Sequence, residues 1–544
     1  MVTSAPTVVL VGAESAGKST LAATLTGGRP RGENLRGSTV AVECYHGPSR
    51  TLVDTPGLVR GSDAATIGAA IKALGAHDTV LVCAAATRLD DHLVLLLPLL
   101  AGKRAAVAVT FWDKVNADER ACLALAALST ELGVPVVGVD ARYPSAGQAA
   151  AIDRALAGPG QLTGDTPRLR VGWRIDPRPT VLERRRVGPT VAALALVIPS
   201  VVAVWAANLV AGLAQAPVEA LTERAAALVT GWPFPLAEIV AGDFGLLTMG
   251  PLLLVWALPT VAVYALLLGA YKTSGLADRL TAAVHPLVRP VGLEGRDVVR
   301  VLMGFGCNVP AVVATRSCSG CSRDTTIAAI AFGSACSYQL GATLAVLAAG
   351  GRPGLVWPYL VVLVSTTLLY TCMVADPAAR ARRNLLLLDR RAFLVWPRAG
   401  DVWREASGSL GHFLRQAVPV FMAIAVVASL LAAFGLLDVL SGALAPVMGA
   451  VALPPEAALP TVMAAIRKDG ILLLAEPSVL AALSGGQLLT AVYLAGVALP
   501  CLVTALTIAR ERGWRRTAAL VARQLAAAVM FAALLGWGLR ALGW

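Results

Sequence analysis

Charged side chains are scarce in this sequence: Asp, Glu, Lys and Arg make up 15% of 544 residues, against 56% hydrophobic residues and a mean hydropathy of +0.69. A soluble chain carries about 25% charge, so the deficit excludes a wholly soluble protein and points to a bilayer as partner. Histidine numbers only five, and His46, His77, His285 and His412 are scattered without ligand spacing. The nine cysteines, with Cys44, Cys83 and Cys122 in the N-terminal region, do not form a secreted disulfide framework. A reduced compartment is therefore expected. There is no basic stretch before an apolar run at the start: Met1-Val2-Thr3-Ser4 leads into a strand-like Thr7-Val8-Val9-Leu10-Val11. No cleavable signal peptide is expected, and the first spanning helix should direct insertion. The net charge of +12 would suggest nucleic acid, but the arginines flank apolar runs and do not form a soluble patch. That is positive-inside topology, and no nucleic-acid partner is expected.

What is present divides in two. Residues 1–150 read as a soluble α/β domain, 151–189 as a basic cytosolic linker, 190–376 as a first membrane half, 377–415 as a basic cytosolic loop and 416–544 as a second membrane half. Within the first region, Gly12-Ala13-Glu14-Ser15-Ala16-Gly17-Lys18-Ser19 follows a strand and precedes a helical run, and Thr20 continues the phosphate-binding set. In that context successive backbone N–H groups cradle phosphates, Lys18 reaches the β and γ oxygens, and Ser19 ligates Mg²⁺. Asp54-Thr55-Pro56-Gly57 follows another strand, where Asp54 can hold Mg²⁺ through water and the Gly57 amide can sense the γ-phosphate. Thr39, between the two motifs, is the candidate switch residue of the Mg²⁺ shell. Together Lys18, Thr39 and Asp54 form the expected catalytic set of a GTPase. Asp113, in Thr110-Phe111-Trp112-Asp113-Lys114, suits the guanine N1 and N2 donors, with Thr110 in place of the more usual Asn; Ala141 stands at the other base-contacting position. Leu58 stands where a water-positioning Gln would follow Gly57, so intrinsic hydrolysis should be slow.

Arg184-Arg185-Arg186 precedes a first span near 190–212, placing the nucleotide domain in the cytosol; 213–243, with Glu219, Glu223, Glu238 and Asp243, reads as outside. A span near 246–270 follows. The segment 298–315 contains Gly304-Phe305-Gly306-Cys307-Asn308-Val309-Pro310 between arginines and is expected to enter and leave on one face. Spans near 325–349 and 354–375 complete the half. The second half repeats the plan with a span near 416–436, an interrupted segment at 457–476 holding Arg467-Lys468-Asp469-Gly470, and spans near 487–509 and 518–541. Opposite orientation of the halves gives an inverted repeat, which places substrate at midplane breaks. The expected fold is an N-terminal α/β P-loop GTPase domain plus a polytopic α-helical membrane domain with inverted-repeat gate halves. Cys307, Cys336, Cys501 and Asp469 are the candidate ligands of a transported late first-row divalent ion. The competing reading of the cysteines is small apolar packing. Cys318-Ser319-Gly320-Cys321 is half a metal site at most.

At Gly304-Phe305-Gly306-Cys307-Asn308-Val309-Pro310-Ala311 (304–311), downstream of a G domain and ahead of Pro500-Cys501, the sequence resembles the FeoB ferrous-iron transporter family. Asn34-Leu35-Arg36-Gly37-Ser38-Thr39-Val40 looks like its switch segment, and Ser274-Gly275-Leu276-Ala277 like a remnant of its membrane-entry segment. The resemblance implies GTP-dependent Fe²⁺ uptake across the cytoplasmic membrane, with Cys307 on the iron path, GTP and Mg²⁺ as cofactors, small cytosolic accessory proteins of the uptake system as partners, and a homo-oligomer as one possible assembly. Ser15 replaces the family's usual P-loop Asn, which removes the expectation of potassium stimulation. Lys272-Thr273 replaces an acidic pair, Tyr338-Gln339 a small residue and arginine, and Asp469 a frequent Glu, leaving Mn²⁺ or Zn²⁺ as alternative cargo. The other readings are a gate-fold permease for an organic solute such as a nucleoside, and a membrane-tethered signalling GTPase.

Overall fold

The structure is a computed structural model that describes residues 6–13, 16–27, 43–48, 50–55, 57, 74–115, 118–165, 167–168, 170–229, 231–242, 245–318, 322–377 and 392–544. It divides into two compact units, Met1–Arg178 and Pro179–Trp544.

The first unit is a sheet wrapped by helices. Its strands are β1 (Thr7–Gly12), β2 (Glu43–His46), β3 (Thr51–Asp54), β4 (Thr79–Ala85), β5 (Arg104–Thr110), β6 (Val136–Gly138) and the short β7 (Gly160–Gln161). They lie in the order β2-β3-β1-β4-β5-β6, with β7 on β5; only β2 and β7 run antiparallel. A parallel sheet covered on both faces must bury alternate side chains on both sides. Accordingly Val9 and Val11 of β1 enter one apolar cluster and Val8 and Leu10 the other. Between the strands run α1 (Lys18–Leu25), α2 (Leu89–Leu96), α3 (Glu119–Leu132) and α4 (Ala146–Ala157). Two of these helices carry side-chain N-caps: Asp118 accepts from the Ala121 N–H, and Ser145 and Gln148 form a capping box.

The unit extends past the boundary expected at residue 150. α4, β7 and the chain to Arg178 belong to it. Asp90 explains the adhesion of this tail: its two carboxylate oxygens accept the N–H groups of Val171 and Gly172 at 3.0 and 2.9 Å. Arg88 pairs with Asp176 at 2.8 Å, and the Trp173 and Trp112 rings lie 5.7 Å apart. The stretch left to link the two units is correspondingly shorter than 151–189.

The second unit is helical. Among the described residues, five helices are long and apolar enough to cross a membrane: Gly188–Ala227, Pro353–Val374, Ala399–Ala433, Gly485–Arg512 and Trp514–Ala541. α5 (Gly188–Ala227) has 40 residues, or about 60 Å at 1.5 Å per residue, about twice the hydrocarbon thickness. It therefore continues past the expected end of the span at 212 into 213–227, the stretch whose charge pattern reads as outside. Similarly, the helix beginning at Ala399 starts within the expected loop 377–415. α6 (Leu236–Ala241) and α7 (Leu246–Thr273) follow α5.

An internal repeat organises the remainder. α8 (Leu276–Val288) and α9 (Gly295–Gly304) are matched by a later pair, Leu436–Met448 and Ala458–Ile466. Gly275 and Gly435 both start their helices with positive φ (76° and 67°), and Pro286 and Pro446 both lie inside them; each pair is 160 residues apart. The same offset sets Cys307 against Arg467 and Asn308 against Lys468. After the first break come α10 (Asn308–Ala314), α11 (Arg323–Gly333), α12 (Ser337–Ala349) and α13 (Val356–Val374). α14 (Ala399–His412) and α15 (Val418–Ala433) precede the second repeat's α16 (Leu436–Met448) and α17 (Ala458–Ile466). A 3₁₀ run, Lys468–Ala475, then leads to α18 (Pro477–Ala482), α19 (Gly485–Val497), α20 (Leu502–Arg512) and α21 (Trp514–Ala541). The segments expected as plain spans at 325–349 and 487–509 are both interrupted, at 334–336 and 498–501.

Replacing Asp90 by Ala should release the 165–178 tail, because each charge-assisted bond is worth about 1.5–3 kcal/mol. Limited proteolysis of the solubilised chain should then cut this segment about tenfold faster than in the parent; equal rates would show that the carboxylate does not hold it.

Candidate functional site

The phosphate loop begins where β1 ends. At Gly12 an added Cβ would lie 2.3 Å from the Cys83 carbonyl, and Gly17 has φ +80°, so both positions need glycine. Lys18 is 5% exposed and its ammonium donates to the carbonyls of Gly12 and Ala13 at 3.3 and 3.1 Å, folded back over the loop. Ser19 donates its hydroxyl to Asp54 Oδ2. The other carboxylate oxygen, Asp54 Oδ1, is buried with no hydrogen-bond partner. Burial holds the Asp54 carboxyl above the usual carboxylate range, against the opposing pull of Lys18 and the Ser19 bond. A half-buried hydroxyl and a carboxylate with a spare oxygen form the donor set of a hard divalent cation. The expected Mg²⁺ fits these residues. Burial pushes the neighbouring Cys83 thiol up to about 12, making it an inert packing group.

Two of the candidate base-reading residues, Thr110 and Ala141, pack against the same loop. A Cβ on Gly17 would lie 3.5 Å from Ala141 Cβ and 3.6 Å from Thr110 Cβ. Thr110 is fully buried, and its hydroxyl donates to the Ala16 carbonyl at 2.7 Å, with the Ala84 carbonyl at 3.3 Å. It thus ties the loop to β4 and β5. Asp113 sits in a single 3₁₀ turn after β5, exposed and 2.8 Å from Lys114 Nζ. Asp140 accepts from the Arg142 N–H at 2.9 Å, shaping the turn at Ala141, whose carbonyl accepts from Thr24 at 3.1 Å. Gly57 is described; Glu14, Ser15, Thr39, Pro56 and Leu58 lie outside the described residues.

In the second unit three cysteines occupy one structural role. Cys307, Cys336 and Cys501 are the N-cap residues of α10, α12 and α20, each placed directly after a break. Arg467 caps the 3₁₀ run in the remaining break. The half-helices pack across the repeat, α10 on α20 and α12 on the Lys468–Ala475 run, which gathers the four caps. Cys307 lies within electrostatic range of Cys336 and Cys501, and Lys468 within range of the latter two. Cys501 Sγ is 3.0 Å from Thr504 Oγ1, and the Arg467 guanidinium lies 5.0 Å from the Phe421 ring centre. Among the described residues no three His, Cys, Asp or Glu side chains come close enough to hold a metal. Asp469 belongs to the 3₁₀ run, and its side chain lies outside the described residues, as does Cys321. Cys318 donates to Asp297 Oδ1 at 3.2 Å beside the buried Asp297–Arg300 pair.

Sequence reasoning missed the residues that pair the broken backbone. Gln524 of α21 donates to the carbonyls of Ala331 and Val497, which precede the two matching breaks, at 3.1 and 2.9 Å. Lys468 donates to Ala495, Gly496 and Leu499. Asn308, its amide oriented for bonding, donates to Gly304 and Ser334 carbonyls at 2.9 and 3.2 Å. The 160-residue recurrence of Gly and Pro was the available signal. At one end of the unit Glu511 accepts from Arg323 at 3.0 Å and from Arg316, while Arg512 donates to Asp324 at 2.7 Å, so the segments around 316–324 and 510–512 share a face.

Two family models match: one described as ferrous iron transport protein B, over residues 6–151, and one described as nucleoside recognition, over 254–350. A curated relative, the Fe(2+) transporter FeoB of Synechocystis sp., is 28% identical over 67% of this chain and 65% of its own length. The chain is thus similar to FeoB proteins in its first unit and along much of its length. The chain spans 65% of that relative's length, just under two thirds. The Fe(2+) transporter FeoB of Legionella pneumophila is 38% identical over 11% of this chain and 8% of its own. A Porphyromonas gingivalis Fe(2+) transport protein A/Fe(2+) transporter FeoB fusion protein is 33% identical over 11% and 7%. Among solved structures, NFeoB from S. thermophilus bound to GDP·AlF4⁻ and K⁺ is 24% identical over 28% of this chain and 62% of that chain, with a TM-score of 0.25. mGMPPNP-bound NFeoB from S. thermophilus has a TM-score of 0.24 over 28% and 60%. The chain joins a GTPase-fold domain to a helical unit whose described residues include five helices long and apolar enough to cross a membrane.

Thr110→Val keeps shape but removes the hydroxyl that satisfies the Ala16 carbonyl, a buried loss of about 1–3 kcal/mol. Nucleotide affinity, titrated with a fluorescent guanine nucleotide, should fall about tenfold; unchanged affinity would mean that the loop does not depend on this bond.

Proposed function

We propose that the chain is a GTP-dependent importer of ferrous iron in the cytoplasmic membrane, its GTPase unit facing the cytosol. The observation that carries the reading is the placement of three thiols at helix N-termini, all beside breaks in the membrane unit, in a chain that also bears a P-loop. Breaks in an inverted repeat are where transporters hold substrate, and thiolate donors suit a late first-row cation. Mg²⁺, when bound with GTP, would be held by Ser19 and Asp54 and would neutralise charge on the β and γ phosphates. Lys18 exchanges the Gly12 and Ala13 carbonyls for phosphate oxygens, and the loop amides from Gly12 to Ser19 bind the rest. Thr39 is proposed for the Mg²⁺ shell and Asp113 for the guanine edge. Cys307, Cys336, Cys501 and Asp469 are proposed for the iron path. The fused relative's name supports a small accessory partner of the transport-protein-A kind.

Support for the cytosolic placement comes from the shared face of segments 316–324 and 510–512, both basic. The match to a model described as nucleoside recognition supports a second reading, an organic-solute permease.

Because Asp113 follows β5 in the base-reading motif while Thr110 is committed to the Ala16 carbonyl, the full-length chain should bind GTP in preference to ATP, weakly, and Lys18→Ala should abolish hydrolysis. Equal affinities by calorimetry would overturn the base assignment. A further expectation separates the units: Cys307→Ala in proteoliposomes should lose Fe²⁺ uptake at least tenfold while basal GTP hydrolysis stays at the parental rate. Parental uptake by that variant would make Cys307 a packing residue, and nucleoside uptake in place of Fe²⁺ would favour the second reading.

A further inference from the structure

The end of α19 creates an unusual concentration of carbonyl oxygens. In an α-helix the N–H of each residue pairs with the carbonyl four back, but Pro500 has no N–H, so the Gly496 carbonyl loses its partner. The helix stops at Val497, and the Ala495 and Leu499 carbonyls stand beside it at the break. All three receive the same side chain. Lys468 Nζ lies 3.3, 2.6 and 2.7 Å from the oxygens of Ala495, Gly496 and Leu499, using each of its three N–H bonds, and the residue is 5% exposed. A cluster of uncharged oxygens at the negative end of a helix dipole is what an alkali cation needs in a membrane protein.

The repeat shows that a cation is a choice at this place. The equivalent of Lys468, 160 residues earlier, is Asn308, which satisfies the first half's broken backbone with a neutral amide. In the second half the amide is replaced by an ammonium ion. We propose that Ala495, Gly496 and Leu499 form an alkali-cation site permanently filled by the Lys468 ammonium, so that the chain carries its own tethered cation beside Cys336 and Cys501. The tethered charge makes a bound Na⁺ or K⁺ unnecessary for holding the break together. It also keeps monovalent cations out of the space next to the thiols. This proposal is independent of the cargo's identity.

The test uses the purified full-length protein in detergent, with thermal unfolding followed in NaCl, KCl and choline chloride at equal ionic strength. The parent should unfold at one temperature in all three salts. Lys468→Ala empties the site, so its Tm should rise saturably with Na⁺ or K⁺ relative to choline, by about 2 °C or more. Lys468→Met fills the space with an uncharged chain and should show no alkali effect. If Lys468→Ala folds only in alkali salt, that rescue also supports the site. The proposal is overturned if Lys468→Ala unfolds at the same temperature in every salt, or fails to fold in every salt. An equal alkali effect in Lys468→Met or in the parent would place any cation elsewhere and overturn it too.

Discussion

A helix that breaks at membrane depth leaves N–H and C=O groups that no water can satisfy, and each must find a partner inside the protein. The membrane unit is organised around that requirement. Its four breaks, at 305–307, 334–336, 467 and 498–501, expose carbonyls that are answered by a small set of buried polar side chains. Gln524 serves one carbonyl in each half, Asn308 serves two around the first pair of breaks, and Lys468 serves three at the last. Ser334 adds a bond to the Val301 carbonyl at 2.8 Å. These residues hold the irregular backbone in place, and around them lies a continuous apolar cluster drawn from both halves.

The two halves share a backbone plan but not a charge. Cys307 and Asn308 are neutral; their counterparts Arg467 and Lys468 are cations buried to 4% and 5% exposure. In a low-dielectric interior such charges dominate the local field, and helix N-termini at all four breaks add to it. Among the described residues no three-ligand set gathers there. At one end of the unit the repeats are clamped by the Arg316–Glu511–Arg323 and Arg512–Asp324 pairs, contacts that a rocking motion of one half against the other would break.

In the GTPase unit the same economy of polar groups appears. Thr110 gives its hydroxyl to the loop backbone, where a guanine-reading amide was the ordinary expectation. Lys18 waits on loop carbonyls, and Asp54 keeps one oxygen unpaired. A loop held in this way by its own carbonyls exchanges those bonds for phosphate without refolding.

By itself the sequence determined the division into a nucleotide-binding α/β region and an apolar helical region, and it located the P-loop, the Asp54 motif and the breaks at Cys307 and Lys468. These are local signals: phosphate cradling depends on consecutive backbone amides, and spanning depends on runs of apolar residues. The 160-residue recurrence of Gly275 with Gly435 and Pro286 with Pro446 stood out only once the helices they begin and bend were in view. Tertiary structure alone decided that 151–178 adheres to the sheet through Asp90, that α5 runs on past residue 212, and that the segments around Cys336 and Cys501 are broken. It also decided that Gln524 and Lys468 close the backbone at those breaks. Such pairings join residues about 30 or 190 positions apart, and whether a buried Lys or Gln meets a carbonyl depends on how helices pack, which no local pattern of residues encodes.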